Sequence, residues 1–134
     1  MRQLIDYVKR LAESRNLSLE ADGLRLVLPV GSSGRHQKIH FERDGTDYLM
    51  TTVILGSTLV TNDVSKWRCL AKLAWHRNAE HEIVTFAFDK RDRLVGQIRH
   101  PADHLDYQEL ELYVTTLATE CDRFEYLLSG RDIF

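Results

Sequence analysis

The chain has few of the residues that hold a protein together without a core. Two cysteines among 134 residues, Cys69 and Cys121, are too few for a disulfide framework or a cysteine-based zinc site. Two prolines and seven glycines exclude collagenous and proline-rich chains. No uncharged apolar run approaches the ~20 residues that a spanning helix needs. The opening MRQLIDYVKR carries charge at Arg2, Asp6, Lys9 and Arg10, unlike the start of a secretory signal. The expectation is a cytoplasmic protein without a membrane partner. What remains is an ordinary globular composition, 43% hydrophobic and 28% charged, at a length suited to one domain over residues 1–134.

Net charge is small but unevenly placed. The formal net charge of −2 argues against a dedicated nucleic-acid binder. Residues 1–100 nevertheless sum to +4 and residues 101–134 to −6, an acidic block on a near-neutral body. Such a block reads first as one solvated face of an amphipathic helix, with Glu111, Asp122 and Glu125 pointing outward.

Periodicity divides the chain into alternating elements. Leu4, Ile5, Val8, Leu11 and Ala12 recur at helical spacing and predict a first helix over residues 2–14. Leu24, Leu26, Leu28 and Val30 then alternate as a strand, which the GSSG run at 31–34 breaks as a loop. Residues 38–43 read as a second strand, followed by Asp44-Gly45, a pair suited to a tight hairpin. YLMTTVIL at 48–55 is nearly continuous in β-formers and so belongs away from the sheet edge. Asp63 caps a helix that runs from Val64 to about Arg77, and IVTFAFD at 83–89 pairs with RLVGQIRH at 93–100 as a hairpin. In the last helix Asp106 and Glu109 form a capping box, with Leu105 and Leu110 as its hydrophobic staple. Its apolar arc is Leu110, Val114, Leu117, Cys121, Phe124 and Leu128, and Gly130 is placed to end it. The order α-β-β-β-α-β-β-α predicts an α+β fold with a five-stranded antiparallel sheet.

The middle helix has more apolar surface than one packing face requires. At 100° per residue Val64, Trp67, Leu70, Ala71, Ala74 and Trp75 fill an arc of about 140°. Cys69 and Leu73 form a second patch on the far side. Apolar surface on two sides of a helix in so small a domain predicts burial by another subunit. The expected homodimer interface is Trp67, Cys69, Leu73 and Trp75.

Catalytic motifs are absent: there is no nucleophile elbow, P-loop or dinucleotide-binding glycine pattern. Ser32, Ser33 and Gly34 could hold an anion but precede no helix start. His36 and His40 lie roughly 13 Å apart at strand rise, too far for one ion. His76 and His81 bracket the end of the middle helix. His100 and His104, with Asp103 and Asp106 nearby, are the one arrangement that could support a small metal- or ligand-dependent enzyme. Pro101 disfavours helix at His100, however, so the two rings should not stack one turn apart. No cofactor and no catalytic residue is therefore expected.

The element order, together with the hairpin IVTFAFDKRDRLVGQI and the following HPADHLDYQELELYV and LATECDRFEYLL, resembles the YbjN-like family of bacterial sensory-transduction regulators. It also resembles the related class I type III secretion chaperones of the Tir-chaperone-like group. Those chaperones are usually markedly acidic and this chain is only slightly so, which brings it nearer the YbjN-like group. The resemblance implies a non-enzymatic homodimeric module, chaperone-like or regulatory, whose middle helix helps to form the dimer. It further implies that a polypeptide segment binds to apolar sheet positions, here Leu24, Leu26, Leu28, Ile39 and Phe41.

Overall fold

The computed structural model describes residues 1–30, 34–61, 63–80 and 83–129. Ser32, Ser33, His81 and Gly130, singled out above, lie outside them. The chain opens with α1 (Arg2–Arg15), which buries the expected Leu4, Val8, Leu11 and Ala12. Asn16 ends it in the left-handed region at φ 53°, and the amide of Leu17 donates back to the Ala12 carbonyl at 2.8 Å. That pair of features is the Schellman closure, with Asn in the place glycine usually takes.

The chain then enters a six-stranded antiparallel sheet of order β1-β2-β3-β4-β6-β5, built from β1 (Ser18–Glu20), β2 (Arg25–Val30), β3 (Arg35–Asp44), β4 (Asp47–Leu55), β5 (Thr85–Phe88) and β6 (Leu94–Pro101). The expected count of five missed β1. Three residues are too short to display an alternating pattern, and β1 exists because it pairs with Arg25–Val27 of the next strand. As expected, β4 is internal, between β3 and β6. The β3–β4 hairpin pairs Asp44 with Asp47, so the two loop residues are Gly45 and Thr46 rather than Asp44 and Gly45. Gly45 takes φ 63° at the first loop position, where a side chain would be strained.

After β4 come a short helix α2 (Ser57–Thr61), which the sequence reading passed over, and α3 (Val64–Glu80). Asp63 caps α3 as expected, its Oδ1 accepting the amides of Ser65 at 2.7 Å and Lys66 at 3.3 Å. The last helix, α4 (Tyr107–Ser129), begins with the predicted capping box: Glu109 N–H donates to Asp106 Oδ1 at 2.8 Å and Asp106 N–H to Glu109 Oε1 at 3.1 Å.

The core lies between one sheet face and α1 and α4. Its completely enclosed side chains include Leu4, Leu26, Ile39, Met50, Leu70, Leu110, Leu117 and Phe124. Gly96 on β6 marks the closest approach, since a Cβ there would collide with the Cys121 Sγ of α4. No helix among the described residues is long and apolar enough to cross a membrane.

Candidate interaction surfaces

The interior stripe of α3 is narrower than its periodicity predicts. Only Leu70 and Ala74 are buried, with Leu73 packed at the edge of the core. The residues expected to share that face, Val64, Trp67 and Trp75, are 69%, 43% and 67% exposed. The buried face is thus centred between Leu73 and Ala74, and two polar ties fix the helix there. Asn78 holds the backbone of β5 at Phe86, and Arg77 Nη2 reaches Glu120 Oε2 of α4 at 3.2 Å while its guanidinium lies over the rings of Phe86 and Phe124. Apolar periodicity is blind to such ties. The four residues expected at an interface therefore separate: Trp67 and Trp75 are on the surface, Cys69 is half-buried and Leu73 meets the core. Trp67 stacks on Phe88 of β5 at 5.6 Å. Leu59, 45% exposed, and Ile83, 41%, add further exposed apolar side chains just before α3 and just before β5.

The apolar sheet positions divide as well. Leu26, Leu28, Ile39 and Phe41 are at most 6% exposed. They face inward, against the chain's own helices. Of the five expected peptide-contacting residues only Leu24 is exposed. The accessible groove on that side runs between α1 and β1, a hollow of about 420 Å³ lined by Lys9, Ala12, Glu13, Asn16, Leu17 and Leu19.

The opposite side of the sheet has a smaller hollow of about 270 Å³, with His40, Thr51, Asp89, Arg93 and Gln97 in its wall. Its charges are largely satisfied within the chain: Arg25 bonds Glu20 at 3.0 Å and His40 Nδ1 at 3.4 Å, and Arg93 bonds Asp89 at 2.7 Å. Burial holds the His40 imidazole below its usual range, and the neighbouring Arg25, Arg93 and Lys38 push it further the same way.

The acidic block is not a solvated face. Arg15 of α1 meets Glu111 at 3.3 Å, and Arg35 of β3 grips Asp122 through two bonds of 3.1 and 3.0 Å. Arg77 of α3 reaches Glu120, and Gln37 of β3 donates to Glu125 at 2.8 Å. Asp122 and Glu120 are 9% and 8% exposed. Three carboxylates of the negative tail, Glu111, Glu120 and Asp122, are paired with arginines of the positive body across the fold.

Among the described residues the histidines do not assemble a centre. His100 on β6 is turned inward, its Nδ1 sharing a hydrogen bond of 2.9 Å with the Tyr113 hydroxyl, whereas His104 is exposed on the turn before α4. No cluster of three metal-ligating side chains occurs among the described residues. Cys121 is sealed in the core, where burial pushes its thiol well above the usual range and Glu120 and Glu125 add to the shift.

No family model and no curated protein matches the chain in sequence. Solved structures do match its shape. A chain of the ExsC–ExsE complex superposes over 95% of this chain and 94% of its own, at 14% identity and TM-score 0.56. A chain of the HopA1–SchA chaperone–effector complex covers 87% and 85% at 15% identity and TM-score 0.53. YbjN from E. coli covers 84% and 81% at 17% identity and TM-score 0.57. The fold that the resemblance implied, shared by YbjN and the secretion chaperones, is the fold of this chain.

Proposed function

We propose that the protein is a non-enzymatic, homodimeric interaction module that binds a polypeptide segment in a chaperone-like or regulatory role. The observation that carries this reading is the uncovered apolar row along α3, Val64, Trp67 and Trp75. Trp75, two-thirds exposed, and Trp67, less than half exposed, are costly on a domain this small, because each buries further apolar area once a partner covers it. A second copy seated there on a two-fold axis meets its own row, and tryptophan is favoured at the centre of such contacts. The likeness to a chaperone–effector complex supports a polypeptide as the other partner. For that segment the groove between α1 and β1, lined in part by Leu17 and Leu19, is the accessible apolar surface, with Leu24 the exposed member of the sheet positions Leu24, Leu26, Leu28, Ile39 and Phe41.

The test is assembly. Trp75→Glu should shift the protein from dimer to monomer in sedimentation at concentrations on the order of tens of micromolar, because each introduced charge faces its own copy. Leu73→Glu is unsuitable, since Leu73 also meets the core and its loss would unfold part of the protein. If the unmodified protein sediments as a monomer under these conditions, the dimer reading is wrong.

A further inference from the structure

The sheet face opposite the core carries polar side chains in register. Glu20, Arg25, His40, Thr51, Gln97 and Thr85 are successive Cα partners across β1, β2, β3, β4, β6 and β5, one hydrogen-bonding side chain on every strand. Neighbours in such a row stand roughly 5 Å apart and can act on one ligand together. The charged members are spent within the chain. Arg25 Nη1 donates to Glu20 Oε2 at 3.0 Å and its Nε to His40 Nδ1 at 3.4 Å, while Arg93 pairs with Asp89 at 2.7 Å. An imidazole that accepts at Nδ1 carries its proton on Nε2, which leaves His40 a neutral donor. Burial and the cations Arg25, Arg93 and Lys38 hold it neutral against the pull of Glu20. Half-buried Thr51 and Gln97, by contrast, have no side-chain partner among the described residues. They stand beside His40 in the hollow of about 270 Å³, whose apolar lining includes Leu49, Val53 and Val95.

We propose that this hollow binds a small neutral cyclic amide, a lactam, imide or pyrimidine, held by Gln97, Thr51 and His40. Charge decides against an ion of either sign. An anion would sit against Asp89 and Glu42, which also line the hollow, and a cation would meet Arg93 with Arg25 and Lys38 close by. A neutral occupant opposes none of these groups and leaves both ion pairs intact. The uncommitted groups then set its polarity. The Gln97 carboxamide offers a donor and an acceptor in one plane, which a ring amide with adjacent N–H and C=O answers with two parallel hydrogen bonds, and the Thr51 hydroxyl gives or takes a third. A flat ring also covers the aliphatic side chains of Leu49, Val53 and Val95, which adds apolar burial. The volume lies just below the ~300 to 1,000 Å³ usual for ligand pockets, so the occupant is a single ring with small substituents. No lining residue belongs to α3 or to the groove between α1 and β1. The site therefore goes beyond the interaction reading and neither stands nor falls with it.

The probe is uracil, an uncharged ring with such edges, titrated into the protein and followed by NMR. The carboxamide N–H signals of Gln97 and the backbone amides of Thr51 and His40 should shift saturably, with a dissociation constant on the order of 1 mM or tighter. Dimethyluracil, methylated on both ring nitrogens, keeps the ring but lacks the donors and should bind about tenfold more weakly, the change that two net hydrogen bonds represent. Gln97→Met, which keeps the length of the side chain and removes its hydrogen bonding, should weaken uracil by a similar factor. Thr51→Val exchanges the hydroxyl for a methyl and should weaken it about threefold. Absence of a saturable shift overturns the proposal, as does equal binding of uracil and dimethyluracil or unchanged affinity in the two variants. Tighter binding of benzoate than of uracil overturns it as well, since the site would then select charge. Should Gln97→Met fail to fold, Thr51→Val and the comparison of the two rings decide.

Discussion

α4 and α3 are both long helices of the same domain, and they are held in opposite ways. α4 turns a continuous arc into the core from Leu110 to Leu128 and is tied by arginines of α1, β3 and α3. α3 contributes two buried side chains and leaves two tryptophans outside. Burial and cross-linking make α4 part of what folds the protein. The opposite pattern makes α3 the element whose surface is free to do something else.

The comparison breaks first on stability. Phe124→Ala on α4 should cost ~3 to 5 kcal/mol in urea unfolding, as a large core truncation that also removes the edge contact of its ring with Phe86. Trp75→Ala on α3 should change the stability of a protomer by no more than about 0.5 kcal/mol. Similar losses at the two sites would mean that α3 is as structural as α4.

Thiol chemistry sharpens the same contrast with one cysteine on each helix. Cys69 is half-buried on α3, and Cys121 is enclosed in the core with its thiol held protonated. In the native protein a thiol reagent should modify Cys69 on the order of a thousandfold faster than Cys121, whose labelling waits for α4 to open. Mass spectrometry of partly modified protein reads the ratio. Comparable rates would show that α4 opens as readily as α3.

The smallest effect distinguishes the ties of α4 from one another. Asp122→Asn removes the charge from a nearly buried carboxylate gripped by Arg35, and should cost ~1 to 2 kcal/mol after allowance for the arginine's exposure. Glu111→Gln, at a pair with both partners more than one-third exposed, should cost no more than about 0.5 kcal/mol. Thermal or urea melts of the two variants rank them. Equal values would return the acidic block to the solvated face that its sequence suggested.

Much of this protein was legible in local pattern. The capping box at Asp106 and Glu109, the Asp63 cap, the internal position of β4 and the apolar arc of α4 depend on residues within a few positions of one another, and the chemistry of each is complete within its own window. β1 was not legible, because three residues become a strand only through the neighbour they pair with. Nor was the rotation of α3. Its tryptophans could have faced inward on periodicity alone, and the helix is held as it is by contacts such as those of Asn78 and Arg77 with groups 8 and 43 residues away in the chain. The same distance hid the fate of the acidic block. The sequence by itself determined the order and type of the longer helices and strands, how their apolar residues repeat and how charge is apportioned. Tertiary structure alone decided which apolar residues are covered and which charges are spent on one another, because both depend on partners that only folding brings together.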